Sequence, residues 1–218
     1  MAEPSSETIT QKPRIPMLKH APQTTEETRR SLKWRVVDIA VGAAVGVMSG
    51  VMFWVFDGMS YGLFPLLTLI LPGSAALLHA LFYFPATLGL LIVRKPGAPA
   101  YVLLVASFVE VVLGTKYSVS LVVIALVQAL AAETVFAVFR YRRWTLGVTL
   151  LSSVAIGIVY NFYLLFFYYQ AFSFFSPRGL IGTACELLSA IVFAGFGSWI
   201  LYRALAKSGV LTRFVSGR

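Results

Sequence analysis

Cysteine is almost absent from this chain. Cys185 is the only one, which excludes an intrachain disulfide and any cysteine-based metal site. Histidine is scarce too, limited to His20 and His79, and charged residues make up only 12% of the sequence. So little charge excludes a soluble domain, whose surface must face water. Nucleotide-binding and catalytic patterns are missing as well. Gly114-Thr115-Lys116 lacks the earlier glycine of a phosphate-binding loop, which excludes ATP hydrolysis by that route. No H-E-x-x-H or G-x-S-x-G pattern occurs, and no internal repeat of the kind seen in many secondary transporters is found. Nothing in the residues supports catalysis, and no cofactor is implied.

Apolar side chains fill the space instead, at 58% of the residues and a mean hydropathy of +0.81. A membrane-spanning helix needs about 20 predominantly apolar residues. Stretches of that kind run over 36–56, 75–93, 98–114, 119–139, 145–169 and 180–202. The expected fold is therefore an all-α integral membrane protein, a bundle of about six spans. The spans nearly exhaust the 218 residues, leaving no room for a soluble nucleotide-binding domain, so any energy source must be a partner. Residues 1–33 are polar and are expected to form a disordered cytoplasmic segment without a cleaved signal peptide. Residues 34–206 form the spanning domain and 207–218 a basic cytoplasmic tail.

The net charge of +9 reads as topology and not as a nucleic-acid surface, because the basic residues sit at span ends. Arg29, Arg30, Lys33 and Arg35 precede the first span and place the amino terminus inside. Arg94-Lys95, the run Arg140 to Arg143, and Arg203, Lys207, Arg213 and Arg218 then also fall inside. The outer loops keep only Asp57, Lys116 and Arg178. The segment 57–74 is rich in Gly and Pro with an apolar centre too short to span. It is expected on the outer face as a loop with a short interfacial or re-entrant helix, either a lid or a space-filling half-span.

Polar groups inside the spans point to a site, since an ionisable side chain in hydrocarbon is costly and usually faces a cavity. Glu110, Gln128, Asn161 and Glu186, with His79, fall within roughly 15 Å of the outer surface at 1.5 Å per residue. Glu133 lies deeper, where it is either the pocket floor or a structural bond. Trp54, Tyr61, Tyr117, Tyr160 and Tyr163 add aromatic faces toward the outside, while Tyr168 and Tyr169 fit an interfacial belt. Carboxylates, amides and rings around one cavity suit a small flat heterocycle, preferably cationic or amine-bearing. His79 is expected to pack or bind substrate, not metal. On the first span, Ala40 and Ala44 form one small-residue stripe and Gly42, Gly46 and Gly50 another, of the kind that allows close helix approach.

Three blocks carry a family resemblance: Arg94-Lys95-Pro96-Gly97-Ala98; Glu110 with Leu113-Gly114; and Val127-Gln128 followed by Ala132-Glu133 and Val135-Phe136. In order and spacing they resemble the YkoE-type substrate-binding (S) components of energy-coupling factor (ECF) ABC transporters. The likeness runs over about 34–202. It implies uptake of thiamine or its hydroxymethylpyrimidine precursor, a lid between the first two spans, and partnership with a transmembrane T component and two cytosolic ATPases in a prokaryotic plasma membrane. It also implies that Ala40 and Ala44 occupy the place of the T-component docking stripe.

Overall fold

The computed structural model describes residues 32–115, 119–170 and 173–209. Residues 1–31 of the expected disordered segment, with His20, Arg29 and Arg30, and also Lys116, Tyr117, Arg213 and Arg218, lie outside the described residues. Those described are helical throughout, with no strand among them. Helix α1 runs Val36–Ile70, followed by a 3₁₀-helix Ser74–Phe82 that continues into α2, Phe84–Val93. Then come α3 (Ala98–Val112), α4 (Val119–Val138) and α5 (Leu146–Phe167). The last span is α6 (Pro177–Ser189), a π-helical stretch Ala190–Gly197, and α7 (Ser198–Lys207). Five of these segments are long and apolar enough to cross a membrane, and α3 is a shorter apolar helix.

One element differs from expectation. The segment 57–74 is not a separate loop or half-helix, because α1 continues unbroken through it to Ile70. Gly58 and Gly62 face open space, and a glycine in a helix costs only about 1 kcal/mol, too little to break a Leu-rich run. The helix stops only at Pro72-Gly73. There Gly73 has φ +98, and a Cβ on it would lie 2.8 Å from the backbone of Arg178 and of Gly182, so only glycine allows this turn to sit against α6. At 35 residues α1 is about 52 Å long, against a hydrocarbon core of about 30 Å.

The two small-residue stripes separate cleanly. Gly42, Gly46 and Gly50 are buried against α3, where a Cβ on Gly50 would meet the Ala106 carbonyl oxygen at 2.5 Å. Ala40 and Ala44 face outward.

The second span is the most enclosed, and its irregular half is held by hydroxyls of the last span. Ser189 Oγ donates to the Leu77 carbonyl at 2.6 Å and accepts from the Ala80 N–H at 3.3 Å. Lower down, Thr87 Oγ1 lies 2.7 Å from the Ala194 carbonyl oxygen within the π-helical stretch. Such wide turns leave carbonyls poorly served by their own helix, and a neighbouring hydroxyl serves this one. The same stretch packs on α5 through glycines: a Cβ on Gly157 would lie 2.9 Å from Ala190 Cβ.

Candidate functional site

At the end of the bundle where α1, α3 and α5 carry their later residues and α4 begins, the helices part around a cavity of about 330 Å³. Each helix contributes side chains at helical spacing. Helix α1 supplies Phe53, Asp57, Ser60 and Phe64; α3 supplies Leu103, Ser107 and Glu110; α4 supplies Ala125 and Gln128; and α5 supplies Tyr160 and Leu164, followed by Tyr168. His79 and Phe82 reach in from the 3₁₀-helix. Asp57 and Glu110 are both buried, and Asp57 Oδ2 accepts from Thr115 Oγ1 at 3.3 Å. Gln128 is 2% exposed, and its amide nitrogen makes no hydrogen bond among the described residues. A buried donor left unpaired costs free energy of about 1–3 kcal/mol.

A second cavity of about 320 Å³ adjoins the first, between the end of α1 and the start of α6. Polar side chains on its lining are Thr68, His79, Asn161, Tyr169 and Arg178. Asn161 Nδ2 donates to Thr183 Oγ1 at 2.9 Å. His79, Phe64, Leu164 and Tyr169 line both cavities and form the wall between them.

Of the residues expected at the site, the structure brings Glu110, Gln128, Tyr160 and His79 together at the first cavity and Asn161 at the second. Glu186 has the expected depth but stands behind His79, fully buried. Trp54 and Tyr61 are exposed and line neither cavity. Tyr163 packs on Phe167 and Tyr168 and does not line it. Asp57, Ser60 and Ser107 join the lining without having been expected there, as do Tyr168 and Tyr169, which fitted a belt.

Glu133 belongs to the opposite end of the bundle. It accepts from the Gly97 N–H at 3.0 Å and from the Tyr141 hydroxyl, so it ties α4 to the turn after α2 and does not floor the cavity. That turn is the Arg94-to-Ala98 block. Arg94, in left-handed backbone at φ 53, donates to the Tyr202 hydroxyl at 2.8 Å and lies over the Trp144 ring. Lys95 is 1% exposed with its Nζ 3.9 Å from Asp38 Oδ2. Burial pushes its ammonium below the usual lysine value, with Asp38 acting in the opposite sense. Trp34 Nε1 donates to the Pro96 carbonyl at 2.9 Å. The block is a knot that joins the turn between α2 and α3 to α1, α4 and α7.

A six-helix membrane bundle with its cavity at one end and a basic knot at the other is comparable with known proteins. Residues 37–159 match the model of a family described as the permease component of ABC-type cobalt transport systems. The chain belongs to that family. A Bacillus subtilis (strain 168) relative, provisionally named HMP/thiamine permease protein YkoE, is 25% identical over 189 residues, covering 85% of this chain and 91% of its own length. A crystal structure of an S-component of an ECF transporter superposes with TM-score 0.76 at 26% identity, over 85% of this chain and 92% of that one. This member of the permease family is accordingly a multi-pass membrane transport component, similar to ECF S components, and not an enzyme.

Proposed function

We propose that the chain is the substrate-capture component of an ECF-type ABC importer, and that it takes thiamine or hydroxymethylpyrimidine into the cavity bordered by Asp57, Glu110 and Gln128. The unpartnered Gln128 amide is the observation that carries this reading, because it sits beside two carboxylates and several ring faces. A flat heterocycle that bears an amine or a positive charge and also an acceptor such as a ring nitrogen satisfies all three kinds of group. The name of the Bacillus subtilis relative supports the same ligands, and the S-component likeness supports capture without chemistry. Asp57 and Glu110 are the carboxylates of a wall otherwise rich in aromatic rings, which suits an organic cation better than a bare metal ion.

Basic residues at the knot end put that end in the cytoplasm by the positive-inside rule, and the cavity then opens outward. Ala40 and Ala44, on the outward face of α1, are the proposed contact with the T component, and two cytosolic ATPases supply energy. Calorimetric titration of the purified chain with thiamine and with hydroxymethylpyrimidine tests the reading. Saturable binding of either by the chain alone is expected, with uptake into proteoliposomes only when the partners and ATP are present. Failure of both ligands to bind removes the assigned substrate. Uptake by the lone chain under a proton gradient replaces the S-component reading with that of a secondary transporter.

A further inference from the structure

Glu186 lies at ligand depth yet lines neither cavity. Its carboxylate is 0% exposed, with Oε1 accepting from the Tyr83 hydroxyl at 2.8 Å and Oε2 placed 2.6 Å from His79 Nδ1. His79 is the residue that reaches the cavities. Its ring lines both, edge-on to Tyr160 with centroids 5.7 Å apart, and among the described residues the contact with Glu186 is its one hydrogen bond. The second ring nitrogen, Nε2, is therefore available to a ligand.

The state of that nitrogen follows from charge. Glu186 is enclosed by Tyr83 and His79, and across the cavity from His79 stand Asp57 and Glu110, so a further unneutralised anion here carries a large desolvation penalty. Two net-neutral arrangements avoid it: an imidazolium against a carboxylate, or a neutral imidazole accepting the Glu186 proton at Nδ1. Both leave a hydrogen on Nε2. Only the third arrangement, a neutral ring donating from Nδ1 to a lone buried carboxylate, leaves Nε2 bare.

We propose that His79 offers an N–H donor from Nε2 to the ligand, with Glu186 and Tyr83 as positioning residues that do not touch it. The ligand must then carry an unprotonated acceptor, a ring nitrogen or a hydroxyl oxygen, in addition to the amine or cation met by Asp57 and Glu110. This deepens the proposed function by naming a second recognition element, and its ligand half rests on that reading.

Because the chain has only two histidines, nitrogen-15 histidine labelling of the full chain in detergent tests the proton placement directly, with His20→Ala assigning the two rings. A protonated Nε2 on His79 at neutral pH is expected, and a bare Nε2 beside a protonated Nδ1 overturns the proposal. Glu186→Gln should redistribute the His79 proton between its two nitrogens; an unchanged spectrum overturns the positioning role. For the ligand half, hydroxymethylpyrimidine is compared with analogues in which each ring nitrogen in turn is replaced by C–H. One analogue should bind wild type about three- to tenfold more weakly, the effect of one hydrogen bond, and His79→Leu no more weakly than the parent. His79→Gln, which keeps a donor, should retain the discrimination. Equal losses in wild type and His79→Leu overturn the assignment of the acceptor. If wild type binds neither thiamine nor hydroxymethylpyrimidine, the substrate assignment fails while the spectrum still decides the donor.

Discussion

At the scale of single residues, the chain divides the acids of its spans between two tasks. Asp57 and Glu110 face the cavity, whereas Glu133 holds a turn. Glu110→Gln or Asp57→Asn should lower thiamine affinity by about tenfold to a hundredfold, the 1.5–3 kcal/mol of a hydrogen bond to a charged group. Glu133→Gln should leave affinity unchanged by titration and lower the thermal midpoint instead, because it weakens the contacts to Gly97 and Tyr141. Affinity loss at Glu133 with none at Glu110 would move the site to the knot. These roles were only half legible in the sequence. Depth along a span follows from counting residues, and it selected Glu110, Gln128, Tyr160 and His79. Rotation about the helix axis does not, since a spanning helix is apolar on every side and its hydrophobic pattern hides which face is interior. Trp54 and Asp57 differ in depth by less than one turn, yet one faces outward and the other lines the cavity. For the same reason the depth of Glu186 could be counted while its pairing with His79 and Tyr83 stayed invisible.

At the scale of elements, α1 uses its two stripes in opposite ways. The glycines admit α3 so closely that a side chain at Gly46 would meet Val105 Cβ at 2.7 Å and the Val102 carbonyl oxygen at 2.9 Å. Gly46→Val or Gly50→Val should therefore destabilise the fold by about 1–3 kcal/mol, the usual cost of overpacking, seen as a lower unfolding temperature in detergent. Ala40→Trp and Ala44→Trp should leave folding and ligand titration unchanged and abolish uptake in the assembled transporter, since bulk on an exposed close-packing stripe blocks a partner helix. Normal transport by both variants would take the docking surface elsewhere. The spacing of small residues announced both stripes, but nothing local said which one was already occupied by α3. The continuation of α1 past Asp57 was hidden for a related reason. Gly58, Gly62 and Pro65 resemble loop signals, while the decisive stop is the close approach of Gly73 to α6, a contact distant in sequence.

At the scale of the whole molecule, the bundle has a tied end and an open end. Arg94 joins Tyr202 and Trp144 at one, and the cavity separates the helices at the other. Arg94→Ala should loosen the tied end, lowering the unfolding temperature while leaving thiamine affinity within about twofold, because sites that share no partners act almost independently. An equal loss of affinity and stability would mean that the knot and cavity are not separable. The unbroken course of α1 has its own mechanical consequence. Ala44 and Asp57 sit on one rod, thirteen residues or about 20 Å apart, so tilting it by about ten degrees about the Ala44 end displaces Asp57 by about 3 Å. A helix of this kind acts as a lever, and leverage works from either end. Under the proposed function, whatever free energy a ligand at Asp57 spent in setting the rod's angle would appear, with the same magnitude, in the grip of a partner at Ala44.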